Sequence, residues 1–197
     1  GCAKMLILVR LIALPLITEK DNTRDIGTRK EGTFLMTTTN QIILRKATLS
    51  DVPEIFNLVN SYAQQELLLP RSLGVLYETI RDFVVAFDGD RLVGTGALHI
   101  IWDNLAEVRS LAVKPGSTKK GIGRQLLEFL KKEAIQLKVK DIFALTYKPE
   151  FFIKCGFTVV SKDIFPQKVW VDCVNCIKFP NCDEVAVKLI LSEYSEE

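Results

Sequence analysis

"LAVKPGSTKKGIGRQLLEFL" runs from Leu111 to Leu130. An apolar run ends at Val113, a proline and three glycines break the chain, and Leu126, Leu127 and Leu130 then recur at helical spacing. The stretch reads as strand, glycine loop, helix. The apolar run "DIFALTY" (Asp141–Tyr147) follows at strand length. Strand, loop, helix and strand in that order suggest a parallel crossover, which places the chain in the α/β (α+β) class. A helix start offers unpaired N–H groups and a positive dipole end, and glycine lets the backbone approach a ligand closely. With Lys119, Lys120 and Arg124 around Gly121 and Gly123, the loop suits a phosphate group. The alternative is a glycine turn with a solvated basic face. Neither a Walker loop nor a dinucleotide fingerprint fits the spacing.

Working outward, "QIILRKAT" (Gln41–Thr48) reads as a strand. Ser50 then stands as a helix cap before Asp51 and Pro53, with Val52, Ile55, Phe56, Val59 and Tyr62 on one face. Ser72 is placed to cap a second helix carrying Leu73, Leu76, Ile80 and Phe83. "FVVAFDGDRLVGTGALHI" (Phe83–Ile100) is a hairpin that turns at Asp88, Gly89 and Asp90. "AEVRSLAV" (Ala106–Val113) is the next strand, and the long helix extends its stripe through Ala134 and Ile135. "PEFFIKCG" (Pro149–Gly156) is a short helix that Gly156 ends, and "FTVVSK" and "EVAVKLIL" are the last strands. The expected order is β-α-α-β-β-β-α-β-α-β-β, a mixed central sheet flanked by helices.

The totals bound the function. The chain has 197 residues, 48% hydrophobic and 25% charged, with a net charge of +2, which suits one domain with its own core. A balance so close to neutral gives no reason to expect nucleic-acid or membrane partners. Five cysteines, an odd number without a convincing secretory signal, point to a reduced, cytoplasmic compartment. "MLILVRLIALPLI" (Met5–Ile17) is interrupted by Arg10 and Pro15 and is too short to span a bilayer. Residues 1–35 are expected to lie outside the fold and residues 36–197 to form the domain, whose acidic end "SEYSEE" is solvated.

The loop resembles the acetyl-coenzyme-A-binding motif of the GNAT family of N-acetyltransferases, Gln/Arg-x-x-Gly-x-Gly/Ala after a strand ending in Val-x-Pro. It falls here on Thr118, Lys119, Lys120, Gly121, Ile122 and Gly123, with Thr118 in place of Gln/Arg. "EFFIKCGFTVV" (Glu150–Val160) matches a second hallmark, a short helix ending in Gly-Phe. The resemblance covers roughly Gln41 to Leu191 and implies the GNAT fold with acetyl-CoA as co-substrate. It implies that Leu111, Ala112 and Val113 line the co-substrate along a strand that splays away from its neighbour. Thr118 to Arg124 would then hold the pyrophosphate.

Acetyl transfer to an amine needs a base, an oxyanion donor and a way for the thiolate to leave. Glu107 is the candidate base. Period-2 alternation sets it on a face with Arg109, Leu111 and Val113, where apolar neighbours would desolvate it. The plainer alternative is an ion pair with Arg109. His99, the single histidine, is a minor alternative base. Many family members carry a tyrosine where this chain has Phe152, so Tyr147 and Ser110 are the candidate acids, unless the thiolate leaves unassisted.

"QQELLLPRSLGVLYETIRDFVVA" and "GALHIIWDNLAEVRSLAV" resemble the short bacterial N-acetylglutamate synthases within that family. That resemblance implies L-glutamate as acceptor and direct transfer in a ternary complex, in the first step of arginine synthesis. It implies Arg71, with Ser72 beside it, as the clamp on a substrate carboxylate, a task suited to the planar, always-charged guanidinium. Arg109 and Lys168 are candidates for the second carboxylate. The rival readings are another amine or a protein lysine as acceptor, or an acyl-coenzyme-A sensor without catalysis. "CVNCIKFPNC" brings Cys173, Cys176 and Cys182 close together but lacks a fourth ligand, so no metal is expected. A small-molecule substrate is the expected partner, with a homodimer left open.

Overall fold

Residues 41–191 are described by a computed structural model, apart from the side chains of Lys119, Val169, Trp170 and Val171. Residues 1–35, read as an extension outside the fold, and the acidic tail lie outside the described residues. Seven strands form one mixed sheet: β1 (Ile42–Lys46), β2 (Phe83–Asp88), β3 (Arg91–Trp102), β4 (Leu105–Val113), β5 (Asp141–Thr146), β6 (Thr158–Val160) and β7 (Val185–Ile190). Their order across the sheet is β1-β2-β3-β4-β5-β7-β6. All neighbours are antiparallel except β4 and β5, which the crossover helix joins as a parallel pair. The helices are α1 (Val52–Ala63), α2 (Leu73–Glu78), α3 (Ile122–Gln136), α4 (Pro149–Ile153) and α5 (Pro166–Val171). The expected order therefore holds, with α5 added between the last two strands. Among the described residues no helix is long and apolar enough to cross a membrane.

Two packed layers hold the sheet. On one side Ile122, Leu126, Leu127, Leu130 and Ala134 of α3 pack on Val84, Val93 and Val108. Ile135, expected in that stripe, is instead exposed: one residue past Ala134, it turns off the packed face. On the other side Val52, Ile55 and Val59 of α1 and Leu76 of α2 cover Phe83, Val85 and Leu92. Gly94 of β3 is what lets α3 sit so close. A methyl there would lie 2.9 Å from Leu126 Cδ1 and 3.2 Å from the Ala112 carbonyl oxygen.

The entry to α1 differs from the Ser50 cap expected. The chain makes a single 3-10 turn over Leu49–Asp51 before Val52. Thr48 caps that turn and Asp51 completes a capping box: its Oδ2 accepts the Thr48 N–H at 2.7 Å and the Thr48 hydroxyl at 2.9 Å. Arg45 reaches across with two more bonds, of 2.7 and 2.9 Å. These donors outweigh burial and hold the Asp51 carboxyl down at about 2. Ser72 does cap α2 as expected, accepting the Val75 N–H at 3.3 Å.

Strand β4 is irregular in two ways that shape the site. Its pairing with β5 stops after Glu107 and Phe143, although both strands continue. Beyond that point their facing backbone groups part, and the sheet opens into a cleft. Ser110 also sits at φ 50, and the register against β3 slips between Thr95 and Ala97. This bulge inserts one residue and inverts the alternation. Ala112 then joins the α1 side, and Leu111 and Val113 the α3 side beside Val108. The expectation that Glu107 shares a face with Leu111 and Val113 is thus corrected. Glu107 does share one with Arg109, whose Nε lies 2.5 Å from its Oε2.

Candidate active site

The cleft between β4 and β5 opens into a cavity of about 510 Å³. Glu107 to Leu111 of β4 and Leu145 and Thr146 of β5 form its walls. Leu68 to Arg71 of the loop before α2 close one side, and α5 with the segment to Glu184 closes another. Residues far apart in the chain meet here because a parallel pair that stops pairing exposes both strand ends on the same edge.

Glu107 is buried, at 4% exposure, and its Oε2 accepts bonds from both Arg109 Nε and Lys168 Nζ, the latter at 2.6 Å. Lys168 also binds Asp172 at 2.9 Å, one turn along α5, and Arg109 NH2 bonds the same Asp172. Burial raises the cost of ionising Asp172, but the Lys168 bond and the Arg109 charge outweigh it and hold its carboxyl below the usual range. Arg71 stands against this network with a different status. Its backbone is held by Asn60, whose side chain bonds both the Arg71 N–H and carbonyl. Among the described residues no hydrogen bond or ion pair engages its guanidinium. Burial first, then the charge of Arg109, pull Arg71 below its ordinary value.

Arg71, Glu107, Arg109, Ser110, Leu111 and Lys168 therefore converge on one cavity. Ser72 does not join them, since its hydroxyl serves the α2 cap. Tyr147 also lies off the cavity wall. Its hydroxyl donates to Asp183 Oδ1 at 2.6 Å and is bonded by Lys178 Nζ. His99 is turned to Asp82, with Nδ1 2.6 Å from Oδ2. Phe152 is buried between Phe151 and Phe157 in edge-to-face contacts and presents only its ring to the cavity.

Three carboxyls of the cavity, those of Asp163, Asp172 and Glu184, went unread in the sequence. Asp172 ends α5, and Glu184 precedes β7. Neither belongs to a periodic pattern. Burial, followed by the charge of Glu107, pushes the Glu184 carboxyl up. Cys173, Cys176 and Cys182 line the same cavity as free thiols, and burial pushes the Cys173 thiol up. Among the described residues no group of three or more His, Cys, Asp or Glu is arranged to hold a metal ion.

The loop after β4 prepares a second recognition element. Val113 ends the strand, and its carbonyl accepts the Tyr62 hydroxyl at 2.5 Å. Thr118–Lys120 form a 3-10 turn, and Gly121, at φ 72, leads into α3. A glycine supplies no capping side chain, and among the described residues no side chain caps the start of α3. Gly123 approaches the Phe151 ring, where a methyl would lie 3.4 Å away. Lys120 is paired with Asp88 at 2.9 Å, and Arg124 is exposed beside the helix start. Helix dipole and uncapped N–H groups together give this helix start the electrostatics that suit an anion.

A helix start suited to an anion, next to a cleft that holds paired carboxylates and cations, is compatible with group transfer between two substrates. The profile of the acetyltransferase (GNAT) family matches residues 50–157, and the chain belongs to that family of N-acetyltransferases. It is 39% identical over 144 residues to an N-acetyltransferase of Chlorobaculum tepidum, covering 73% of this chain and 93% of that one. It is 41% identical over 122 residues to the amino-acid acetyltransferase of Mycobacterium tuberculosis, covering 60% and 70%. A Mycobacterium tuberculosis protein crystallised in complex with CoA and NLQ superposes with a TM-score of 0.66 at 34% identity, covering 75% of this chain and 98% of that one. The Neisseria gonorrhoeae N-acetylglutamate synthase, crystallised with coenzyme A and N-acetyl-glutamate, gives a TM-score of 0.69 at 26% identity. There the chain covers 77% of its own length and 35% of the synthase, so it spans about a third of that longer protein.

Proposed function

We propose that the protein is an acetyl-CoA-dependent amino-acid N-acetyltransferase whose acceptor is the α-amine of L-glutamate, a reaction that supplies arginine synthesis. One observation carries the choice of acceptor: the unengaged Arg71 guanidinium in a cavity with Arg109 and Lys168. The lining carries Arg71, Arg109, Lys162 and Lys168 against the carboxylates of Glu107, Asp163 and Asp172, with the Glu184 carboxyl pushed by burial toward its neutral form, so positive charge is in excess. L-glutamate carries two carboxylates and one ammonium, so its net charge complements that excess. Arg71 takes one carboxylate bidentately, and Arg109 or Lys168 turns toward the other. The relatives named as amino-acid acetyltransferase and N-acetylglutamate synthase support the same substrate class.

In this reading the uncapped start of α3 and the turn from Thr118 to Arg124 hold the pyrophosphate of acetyl-CoA. The rest of the co-substrate enters the cleft where β4 and β5 no longer pair. Glu107 takes a proton from the amine, the nitrogen attacks the thioester carbon, and an unpaired β4 N–H donates to the oxyanion. Transfer is direct, within a ternary complex. Thiol release from acetyl-CoA against a panel of amino acids and amines tests the assignment. Saturable release with L-glutamate alone is expected. Release with a different amine overturns the acceptor. Binding of acetyl-CoA without release from any acceptor favours a sensor, the reading that Phe152 in place of tyrosine supports.

A further inference from the structure

The donor of a proton to the departing thiolate is the step the sequence leaves open. Phe152 has no proton to give, and Tyr147 is engaged by Asp183 and Lys178 outside the cavity. Ser110 lines the cavity, but a serine hydroxyl is too weak an acid near neutral pH. Glu184 is differently placed. Strand pairing sets Val185 opposite Thr146, so Glu184 sits just past the end of β5, where the cleft is open. It lines the same cavity as Glu107. Glu107 and Asp172 each receive bonds from both Arg109 and Lys168. No ion pair engages Glu184 among the described residues, and its one hydrogen bond comes from the Cys182 thiol, Sγ to Oε2 at 3.7 Å.

We infer that Glu184 is the general acid: it enters the step as a neutral carboxylic acid and protonates the sulfur of the departing coenzyme A. This rests on the acyl-transfer reading above. The acceptor binds as its ammonium, releases that proton to solvent, and reacts as the free amine. Its nitrogen bonds to the acetyl carbon and passes one proton to Glu107. The carbon–sulfur bond breaks with its electron pair on sulfur, and sulfur takes the Glu184 proton. Glu107 is left protonated and Glu184 ionised, and one proton passing from the first to the second restores both.

The groups that face Glu184 are Glu107 from β4, Lys168 from α5, Lys178 from the segment before β7, and Cys182 beside it in the chain. Burial and the Glu107 charge favour the protonated carboxyl, and they outweigh the Cys182 bond and the two lysines. Glu184 is thus biased toward its acid form, while Glu107 receives bonds from two cations, an arrangement that separates an acid from a base. They are also coupled. A proton arriving on Glu107 removes a charge that held the proton on Glu184, so the acid strengthens as the base fills.

The test follows thiol release with acetyl-CoA and L-glutamate across pH for the unaltered chain, Glu184→Gln and Glu184→Asp, with coenzyme A binding measured for each by calorimetry. Activity of the unaltered chain is expected to fall on the alkaline side, as Glu184 loses its proton. Glu184→Gln should lower kcat about 10²-fold, the low end for a positioned proton donor. It should erase the alkaline limb and leave both KM values and coenzyme A affinity unchanged. Glu184→Asp keeps a carboxyl and should retain part of the rate, with the limb moved to lower pH. An unchanged kcat and limb in Glu184→Gln, or a loss confined to KM, overturns the role. Should Glu184→Gln fail to fold, a limb that stays in place in Glu184→Asp overturns it equally. Absence of turnover with any acceptor in the unaltered chain overturns the acyl-transfer reading, and this role with it.

Discussion

Replacing Asp51 with asparagine is expected to weaken the fold by an amount the geometry sets. Asp51 is 6% exposed and joins the end of β1 to the start of α1 through Arg45 and Thr48. Its carboxyl is lowered from 3.8 to about 2. At about 1.36 kcal/mol per unit, that difference is worth about 2 kcal/mol at neutral pH. The sign follows from the direction. A depressed carboxyl stabilises the fold above its unfolded value of 3.8, and the gain is lost as pH falls through about 2. An asparagine side chain keeps an acceptor for Thr48 but loses the charge that holds Arg45. Urea unfolding followed by circular dichroism should therefore show Asp51→Asn less stable by about 2 kcal/mol at neutral pH. The two proteins should converge as the medium is acidified. Equal stability at neutral pH, or a gap that acid leaves untouched, would refute the reasoning.

Arg71→Leu should raise KM for L-glutamate roughly 10- to 100-fold with little change in kcat, as expected for a lost charge-assisted bond that serves binding; steady-state kinetics reads this directly. Glu107→Gln should lower kcat by about 10²- to 10³-fold, while calorimetry finds coenzyme A binding unchanged. Gly94→Ala should cost about 1–3 kcal/mol in urea unfolding, because its methyl meets Leu126 at 2.9 Å and a backbone oxygen at 3.2 Å.

The order of strands and helices was legible because each core-facing element repeats an apolar period, as in Leu126, Leu127 and Leu130 on α3. Helix α5 was not. "PQKVWV" is six residues long, less than two turns, and no period can declare itself in so short a run. Glu107 and Arg109 were legible as neighbours on one face of a strand. The contact of Lys168 with Glu107 joins residues 61 apart and depends on α5 closing over the cleft. Asp172 and Glu184 could not be singled out, since a carboxylate at the end of an element is ordinarily solvated. The bulge left no signature either. Positive φ is announced by glycine or asparagine, and here the residue is Ser110.

That serine gives β4 two independent readerships. On the proposed function, residues ahead of it address the acceptor, through Glu107 and Arg109, while Leu111 and Val113 behind it pack on the side of helix α3. A strand of unbroken alternation would make each change of acceptor chemistry a change on a face that continues into the co-substrate end. With the frame reset at residue 110, the two halves can drift separately. The first half can be rewritten for a new amine while the second keeps its seat under α3. Deleting one residue there would do the opposite, exchanging the two audiences at a stroke.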